Sequence, residues 1–314
     1  MMENVNRKIT TSGSHEKHPP FVITLDGENM LLRLVDEYIP TGNYMHSDKI
    51  QVEKRNVTFD ESGIPKVNFR WGTHYYPITI AQYGLQHHAL YLLTNDRNSY
   101  EKFIMVADYF TKTQDRNGGW PTEFNHTFYK GRTKELKAPW YSAMAQGQAM
   151  SLLVRAYDQT KKTNYLDSAK KGLKLFSRPV KAGGLLRKFE GKFWFYEEYP
   201  TEPASYVLNG FIYSLVGLYD VAAVSGSRKA KKLYDRGIQT LRRMISLYDL
   251  GNRTAYDLTH LTTEGNAPNV ARWGYHSTHL LVLSVICAIE NDPIFQSVLE
   301  RWIGYAKGIT AKTN

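Results

Sequence analysis

GQAMSLLVRAYDQT, residues 147–160, opens on a glycine and runs on as an apolar segment, and the chain repeats that arrangement four times. Its counterparts are GLQHHALYLLTND at 84–96, GFIYSLVGLYDV at 210–221 and GYHSTHLLVLSVICAIEND at 274–292. The leading residues Gly84, Gly147, Gly210 and Gly274 stand 63, 63 and 64 residues apart. A residue that small lets backbones approach closely where apolar helices converge. Each run is followed by a more polar partner: SYEKFIMVADYFTKT, NYLDSAKKGLKLFSR, RKAKKLYDRGIQTLRRMISLY and PIFQSVLERWIGYAKG. Phe103, Val106 and Phe110 in the first of these have helical spacing, not the alternation of a strand. One such pair cannot bury its own apolar face, so recurring pairs of this length predict inner helices that share a core. The expected fold is mainly α: an α/α barrel, or incomplete toroid, of four helix pairs.

In such a ring the segments entering the apolar helices gather at one end. They are HYYPITIAQYG (74–84), KAPWYSAMAQG (137–147), FYEEYPTEPASYVLNG (195–210) and NAPNVARWGYHSTH (266–279). Each contains proline and a tyrosine or tryptophan, which predicts one aromatic-lined cleft. The third crowds Glu197, Glu198 and Tyr199 ahead of Pro203, which suits the first turn of a helix PASYVLNGFIYSLVGLY. The partly positive N–H groups of a helix start favour an acid such as Glu202, but that leaves Glu198 and Tyr199 unaccounted for.

Other connections read as structural. The GGWP turn sets Trp120 as a plug between helices. Glu190 and Gly191 join two short strands in which Phe193 and Phe195 alternate with Trp194 and Tyr196, one face packing and the other free to face the cleft. Residues 1–20 read as a disordered N-terminus. Residues 21–74 read as an N-terminal extension with a short helix and a small β-hairpin, and 75–314 as the helical barrel.

The 314 residues carry a formal charge of +10, which points to an anionic partner. With 22 tyrosines and 6 tryptophans and no nucleic-acid motif, an acidic polysaccharide ranks ahead of nucleic acid. No stretch near the N-terminus resembles a signal peptide or a spanning helix, so the chain as written is expected to be soluble and cytoplasmic, without membrane attachment. Asn56, Asn125 and Asn252 each precede a threonine by two residues, about as often as chance provides. The single cysteine, Cys287, reads as a small apolar residue.

The groups that could carry chemistry are Glu197, Glu198, Tyr199, Tyr256, Arg272, Tyr275, His276 and His279. No metal site is expected: His87 and His88 are adjacent and cannot both face one ion from a helix. His276 and His279, one turn apart, could share a ligand, although buried histidines with satisfied hydrogen bonds are the commoner case. Neither a glycine-rich phosphate loop nor a Gly-x-Ser-x-Gly elbow is present.

WYSAMAQGQAMSLLVRAY, EEYPTEPASYVLNGFIYSLVGLYD, AYDLTH and NVARWGYHSTH resemble the C-terminal helical domain of heparan sulfate (heparosan) glucuronyl C5-epimerases, from about Pro65 to the end of the chain. The resemblance implies an α/α barrel that inverts carbon 5 of D-glucuronate within a polymer, giving L-iduronate without cleaving the chain. It implies Glu198, Tyr199, Tyr256 and Tyr275 as catalytic residues, with Tyr275 and Glu198 exchanging protons on opposite ring faces. Arg272 would then be the cation for the uronate, and Gln82, Tyr83, Asn209 and His276 polar contacts with substrate. No cofactor is implied, and a homodimer is the candidate assembly. The large β-rich insertion and membrane anchor of the animal enzymes are missing from this sequence. A trimmed animal enzyme would belong in the Golgi lumen. Thr259 stands where those enzymes have an arginine.

Tyrosines suit this chemistry. Removing the hydrogen beside a carboxylate builds up a second negative charge, and inversion needs a base on one face and an acid on the other. A phenol, with an ordinary pKa near 10, serves either role if its surroundings move that value towards neutral. A uronate lyase would start from the same step and then expel the substituent at carbon 4. An inactive glycan-binding protein would use the basic charge and aromatic rim alone. A glycoside hydrolase needs two opposed carboxyls, for which only the EEY pair and the distant Asp257 are available.

Overall fold

The computed structural model describes residues 21–25, 28–45 and 51–311. The expected disorder of residues 1–20 lies outside the described residues. The chain divides into two compact units: Ile39–Thr240, and the chain up to Tyr38 together with the segment from Leu241 onward.

In the second of these units, β1 (Phe21–Leu25) and β2 (Glu28–Leu32) pair antiparallel, Phe21 opposite Leu32 and Leu25 opposite Glu28. In the larger unit, β3 (Val57–Phe59), β4 (Pro65–Phe69) and β5 (Gly72–Tyr75) form an antiparallel sheet in that order. The extension was expected to hold one short helix and one hairpin. Among its described residues the helix is a single 3-10 turn, Val52–Lys54, and the strands make a hairpin and a three-stranded sheet.

Three helix pairs follow in the larger unit: α1 (Pro77–Thr94) with α2 (Arg97–Thr113), α3 (Ala143–Thr160) with α4 (Thr163–Phe176), and α5 (Leu208–Ser225) with α6 (Arg228–Met244), whose last turn passes Thr240. Between α4 and α5 lie the paired strands β6 (Leu186–Phe189) and β7 (Phe193–Tyr196). The other unit adds the one-turn α7 (Thr259–Thr262) and the fourth pair, α8 (Trp273–Glu290) with α9 (Pro293–Ala306).

The apolar member of every pair ends the same way. Asn95, Lys161, Gly226 and Asn291 take left-handed backbone angles, φ 55°, 57°, 65° and 47°, and each returns its N–H to the carbonyl four residues back. The polar helix starts within three residues, capped by Asp96 on α2 and Asp292 on α9. So short a reversal makes each pair antiparallel.

The repeated glycines do different jobs. A Cβ on Gly147 would lie 2.6 Å from Ser214 Cα, and one on Gly217 would lie 2.3 Å from the Gly147 carbonyl oxygen, so α3 and α5 cross backbone to backbone. A Cβ on Gly84 would press on Leu152 and Val106 at 2.9 Å. Gly274 has nothing within 4 Å of where its Cβ would be, so the close-approach expectation fails there. Arg155 of α3 and Asp220 of α5 form a fully buried ion pair at 2.8 Å. The guanidinium also donates to the carbonyls of Gly42 and Ser151. Helix α5 is long and apolar enough to cross a membrane, but it is a core helix with most of its residues buried.

Two local expectations need correction. Helix α5 starts at Leu208, not at Pro203, because Tyr206 adopts φ 50° and keeps the preceding segment extended. The alternation in β7 also breaks at its end: Phe195 and Tyr196 are both fully buried, and the Tyr196 hydroxyl donates to the Leu233 carbonyl. Trp120 is buried against α2, edge-on to Phe110 at 5.3 Å with its indole N–H on the Phe110 carbonyl.

Candidate active site

The extended stretch from β7 to α5 carries the two adjacent glutamates, and their environments separate their roles. Glu197 is a clamp. Its main chain joins the carbonyl of Leu185 and the N–H of Ala143, where α3 begins. Its carboxylate lies 3.0 Å from Arg187 Nε and accepts from the Ser205 hydroxyl and the Tyr206 N–H, 3.2 Å away. Full burial pushes its pKa up to about 7, against the pull of Arg187 and these hydrogen bonds. Arg187 also reaches Glu202 and the Thr201 carbonyl, which fixes the turn. The acid credited to a helix start, Glu202, sits in this turn instead.

Glu198 points elsewhere. The residue is 2% exposed, and its carboxyl rests against the start of α5, where a Cβ on Gly210 would fall 2.1 Å from Oε2. The absent side chain at 210 is the room the carboxyl occupies. Burial raises its pKa to about 8, while hydrogen bonds from the Tyr199 hydroxyl and the Gly210 N–H pull the other way and the Glu197 charge adds to the rise. Its Oε2 is buried with no hydrogen-bond partner. Unlike Glu197, whose carboxylate lies 3.0 Å from Arg187, Glu198 has no cation beside it among the described residues, and burial favours its protonated form.

Tyr199 is half-buried among rings: Phe128 at 4.6 Å and His126 at 5.3 Å lie nearly parallel to it, and Trp140 is 5.9 Å away. This wall holds the phenol beside Glu198. Among the other residues expected at the site, Asn209 is buried at the start of α5 with its Oδ1 unpartnered, and Gln82 Oε1 accepts from Arg55 at 2.7 Å. Tyr83 is buried, and its hydroxyl donates to Glu53 at 3.3 Å.

Tyr213 was not anticipated. It lies one helical turn after Gly210, on the same face of α5, and packs on Ile78, Met144 and Ala145. Burial and then the nearby Glu198 charge push its pKa up to about 12. The signal was present as a tyrosine three residues after a site glycine, but nothing in the sequence marked that glycine as the floor of the site.

The smaller unit groups the remaining candidates. Tyr256 and Tyr275 meet with ring centroids 4.7 Å apart at 61°, and Tyr275 is 46% exposed. Arg272 is exposed at the N-cap of α8, three residues before Tyr275. His276 and His279 converge on a protein group, not a ligand: the Thr254 hydroxyl lies 3.1 Å from one Nδ1 and 2.8 Å from the other. The His276 Nε2 lies 3.0 Å from the Trp302 carbonyl, so both of its ring nitrogens are engaged within the protein. That carbonyl requires Nε2–H on His276, whose Nδ1 then takes the Thr254 proton. His279 must in turn donate Nδ1–H to Thr254, leaving a bare lone pair on its buried, unpartnered Nε2. Burial and His276 hold the His279 pKa down at about 3. Asp257 accepts from the Thr259 N–H and hydroxyl and from Asn269, which ties it into the turn that enters α7. Thr259 itself is fully buried.

Residues 114–304, the span that contains Glu198, Tyr199, Tyr256 and Tyr275, match the family described as D-glucuronyl C5-epimerase C-terminus. The chain belongs to this family. It is 42% identical over 224 residues to the D-glucuronyl C5-epimerase of Caenorhabditis elegans, covering 68% of this chain and 36% of that protein. An uncharacterised protein of Methanocaldococcus jannaschii is 29% identical over 212 residues, covering 63% of this chain and 65% of that one. The chain thus spans about a third and two thirds of the lengths of these relatives. Among solved structures, cellobiose 2-epimerase from Bacillus thermoamylovorans superposes with a TM-score of 0.54 at 11% identity, over 88% of this chain and 76% of that chain. That likeness speaks for the fold, a mainly helical one of the α/α-barrel class.

Proposed function

We propose that the protein is a polysaccharide C5-epimerase, an isomerase that converts D-glucuronate to L-iduronate within a heparosan-like polymer. The carrying observation is Glu198, a buried carboxyl with a pKa raised to about 8, set on Gly210 and bonded by the Tyr199 hydroxyl within the family-matched segment. Near pH 8 such a group is poised between acid and base, which suits a step that takes a proton from carbon and returns one to it. In this reading Glu198 exchanges a proton at carbon 5. The Tyr199 hydroxyl stabilises its ionised form and steadies the carboxylate of the sugar as charge spreads onto it.

Tyr256 and Tyr275 are the proposed phenols for the complementary transfer, and Arg272 the proposed cation for the uronate. The buried Asn209 and the half-buried Gln82 are proposed substrate contacts. Tyr83 and His276, already engaged with Glu53 and Trp302, are better assigned to holding those residues in place. No bond to oxygen need break, so a cofactor is not required by the chemistry. The net charge of +10 supports an acidic polymer as the substrate.

Incubation with N-sulfated heparosan in heavy water tests this. Deuterium at carbon 5 with new iduronate, and no ultraviolet absorbance from a carbon 4–carbon 5 double bond, is the expected result. Rising absorbance would mean a lyase, and neither deuterium nor absorbance would overturn the assignment.

A further inference from the structure

The sheet β3–β5 exposes more aromatic surface than a small antiparallel sheet needs: Phe59 is 43% exposed, Tyr75 38% and Trp71 57%. The reversal between β4 and β5 is unusual in composition. Phe69 pairs with Gly72, so Arg70 and Trp71 form its two-residue tip, where asparagine and glycine are the common choice. Trp71 is not loose there. Its ring stacks on Phe69 at 4.9 Å and 9°, nearly parallel, which covers one face and leaves the other to solvent. Phe69 in turn lies 5.0 Å from Phe124, and Trp140, whose indole N–H donates to the Phe124 carbonyl, belongs to the ring wall around Tyr199. Ring contacts and one hydrogen bond therefore connect the tip to the segment that carries Glu198. At the base of the tip, β5 borders a recess of about 270 Å³ with Lys66 and Tyr75 on its rim, the ammonium 4.7 Å over the tyrosine ring.

We infer that Trp71 and Arg70 form a distal subsite for the acidic polysaccharide, the open indole face stacking on a sugar ring and the guanidinium meeting a carboxylate or sulfate of that sugar or its neighbour. This rests on the assignment of a uronate polymer as substrate. An indole with one face backed by a ring and the other bare is a platform for the flat apolar face of a pyranose. The adjacent exposed arginine supplies the charge that a neutral glucan would not need. A subsite away from the reacting sugar adds affinity only for chains long enough to reach it, and it binds ground and transition states alike.

The test compares wild type with Trp71→Ala, Arg70→Ala and Trp71→Phe, on long N-sulfated heparosan and on oligosaccharides too short to span from tip to acid. Carbon 5 deuterium exchange gives kcat and KM, and calorimetry gives affinity. Trp71→Ala is expected to raise KM and Kd for the long chain about tenfold, with kcat and the short-substrate constants unchanged. Trp71→Phe should recover most of the loss. Arg70→Ala should weaken long-chain binding and flatten its salt dependence. Equal losses on both substrates, or none, would overturn the subsite while wild-type exchange leaves the epimerase standing. A wild type that neither binds nor exchanges either substrate would overturn both.

Discussion

Replacing Glu198 by glutamine makes the burial of this carboxyl measurable without any substrate. The folded protein holds its pKa at about 8, against an ordinary 4.5. Between those values the folded carboxyl keeps a proton that the unfolded chain has released. The native state then binds more protons than the unfolded one, and stability falls as pH rises. Whatever the wild type has below pH 4.5 is lost progressively up to about pH 8 and stays lost above it. The slope for one such group is about 1.4 kcal/mol per pH unit, or ~4 kcal/mol between pH 5 and pH 9. Glutamine fills the same space and never ionises, so the unfolding free energy of Glu198→Gln minus that of wild type should grow by about that amount across the interval. Urea denaturation at a series of pH values reads it directly, because groups common to both proteins cancel in the difference. A difference that stays flat would refute the protonated buried carboxyl. One that shrinks with pH would mean that the fold stabilises the carboxylate instead.

Gly210→Ala should displace the Glu198 carboxyl and lower kcat by at least ~10²-fold with little change in KM, whereas Gly274→Ala, with open space around it, should raise stability by up to ~1 kcal/mol; equal behaviour of the two in paired kinetics and melts would count against the role given to Gly210. Tyr199→Phe removes a hydrogen bond that holds the Glu198 pKa down, so the limb of the pH–kcat/KM profile that reports Glu198 should move to higher pH, and an unmoved limb would separate the two residues. Asp220→Ala strands Arg155 in the core and should cost about 3–5 kcal/mol in denaturant titrations. A loss below ~1 kcal/mol there would mean that water reaches the pair.

The helix pairs were legible because their signal is local. Each pair contains its own apolar run, polar run and short reversal, and Gly84, Gly147, Gly210 and Gly274 recur on the same schedule. What those glycines face was not legible. Gly147 meets another helix backbone, Gly210 meets a carboxyl and Gly274 meets nothing within 4 Å, and a glycine reads the same in all three cases. The start of α5 was misplaced because Pro203 is a fair first-turn residue, and only the left-handed Tyr206 keeps the preceding stretch extended. Within the EEY motif, the division of labour between Glu197 and Glu198 depends on Arg187, ten residues upstream across the β6–β7 hairpin, and on a glycine twelve residues downstream. No spacing rule would have paired them. Family resemblance marked Tyr256 and Tyr275 but not Tyr213, whose relation to Glu198 exists only once α5 is coiled.

The backbone crossing of α3 and α5 has a mechanical consequence. Three links join these elements: the Glu197 carbonyl to the N–H of Ala143 at the head of α3, the Gly210 N–H of α5 to the Glu198 side-chain carboxyl, and the backbone crossing of α3 and α5 where Gly147 meets Gly217. They close a triangle, and a triangle of stiff members has no soft mode. Where Gly147 meets Gly217 no side chain separates the two backbones, so no rotamer flip at that crossing would let the helices slide. The Glu198 backbone is therefore mounted on a truss, not on a hinge. Drift in the surrounding side chains can change what approaches this carboxyl, but it has little leverage over where that backbone stands.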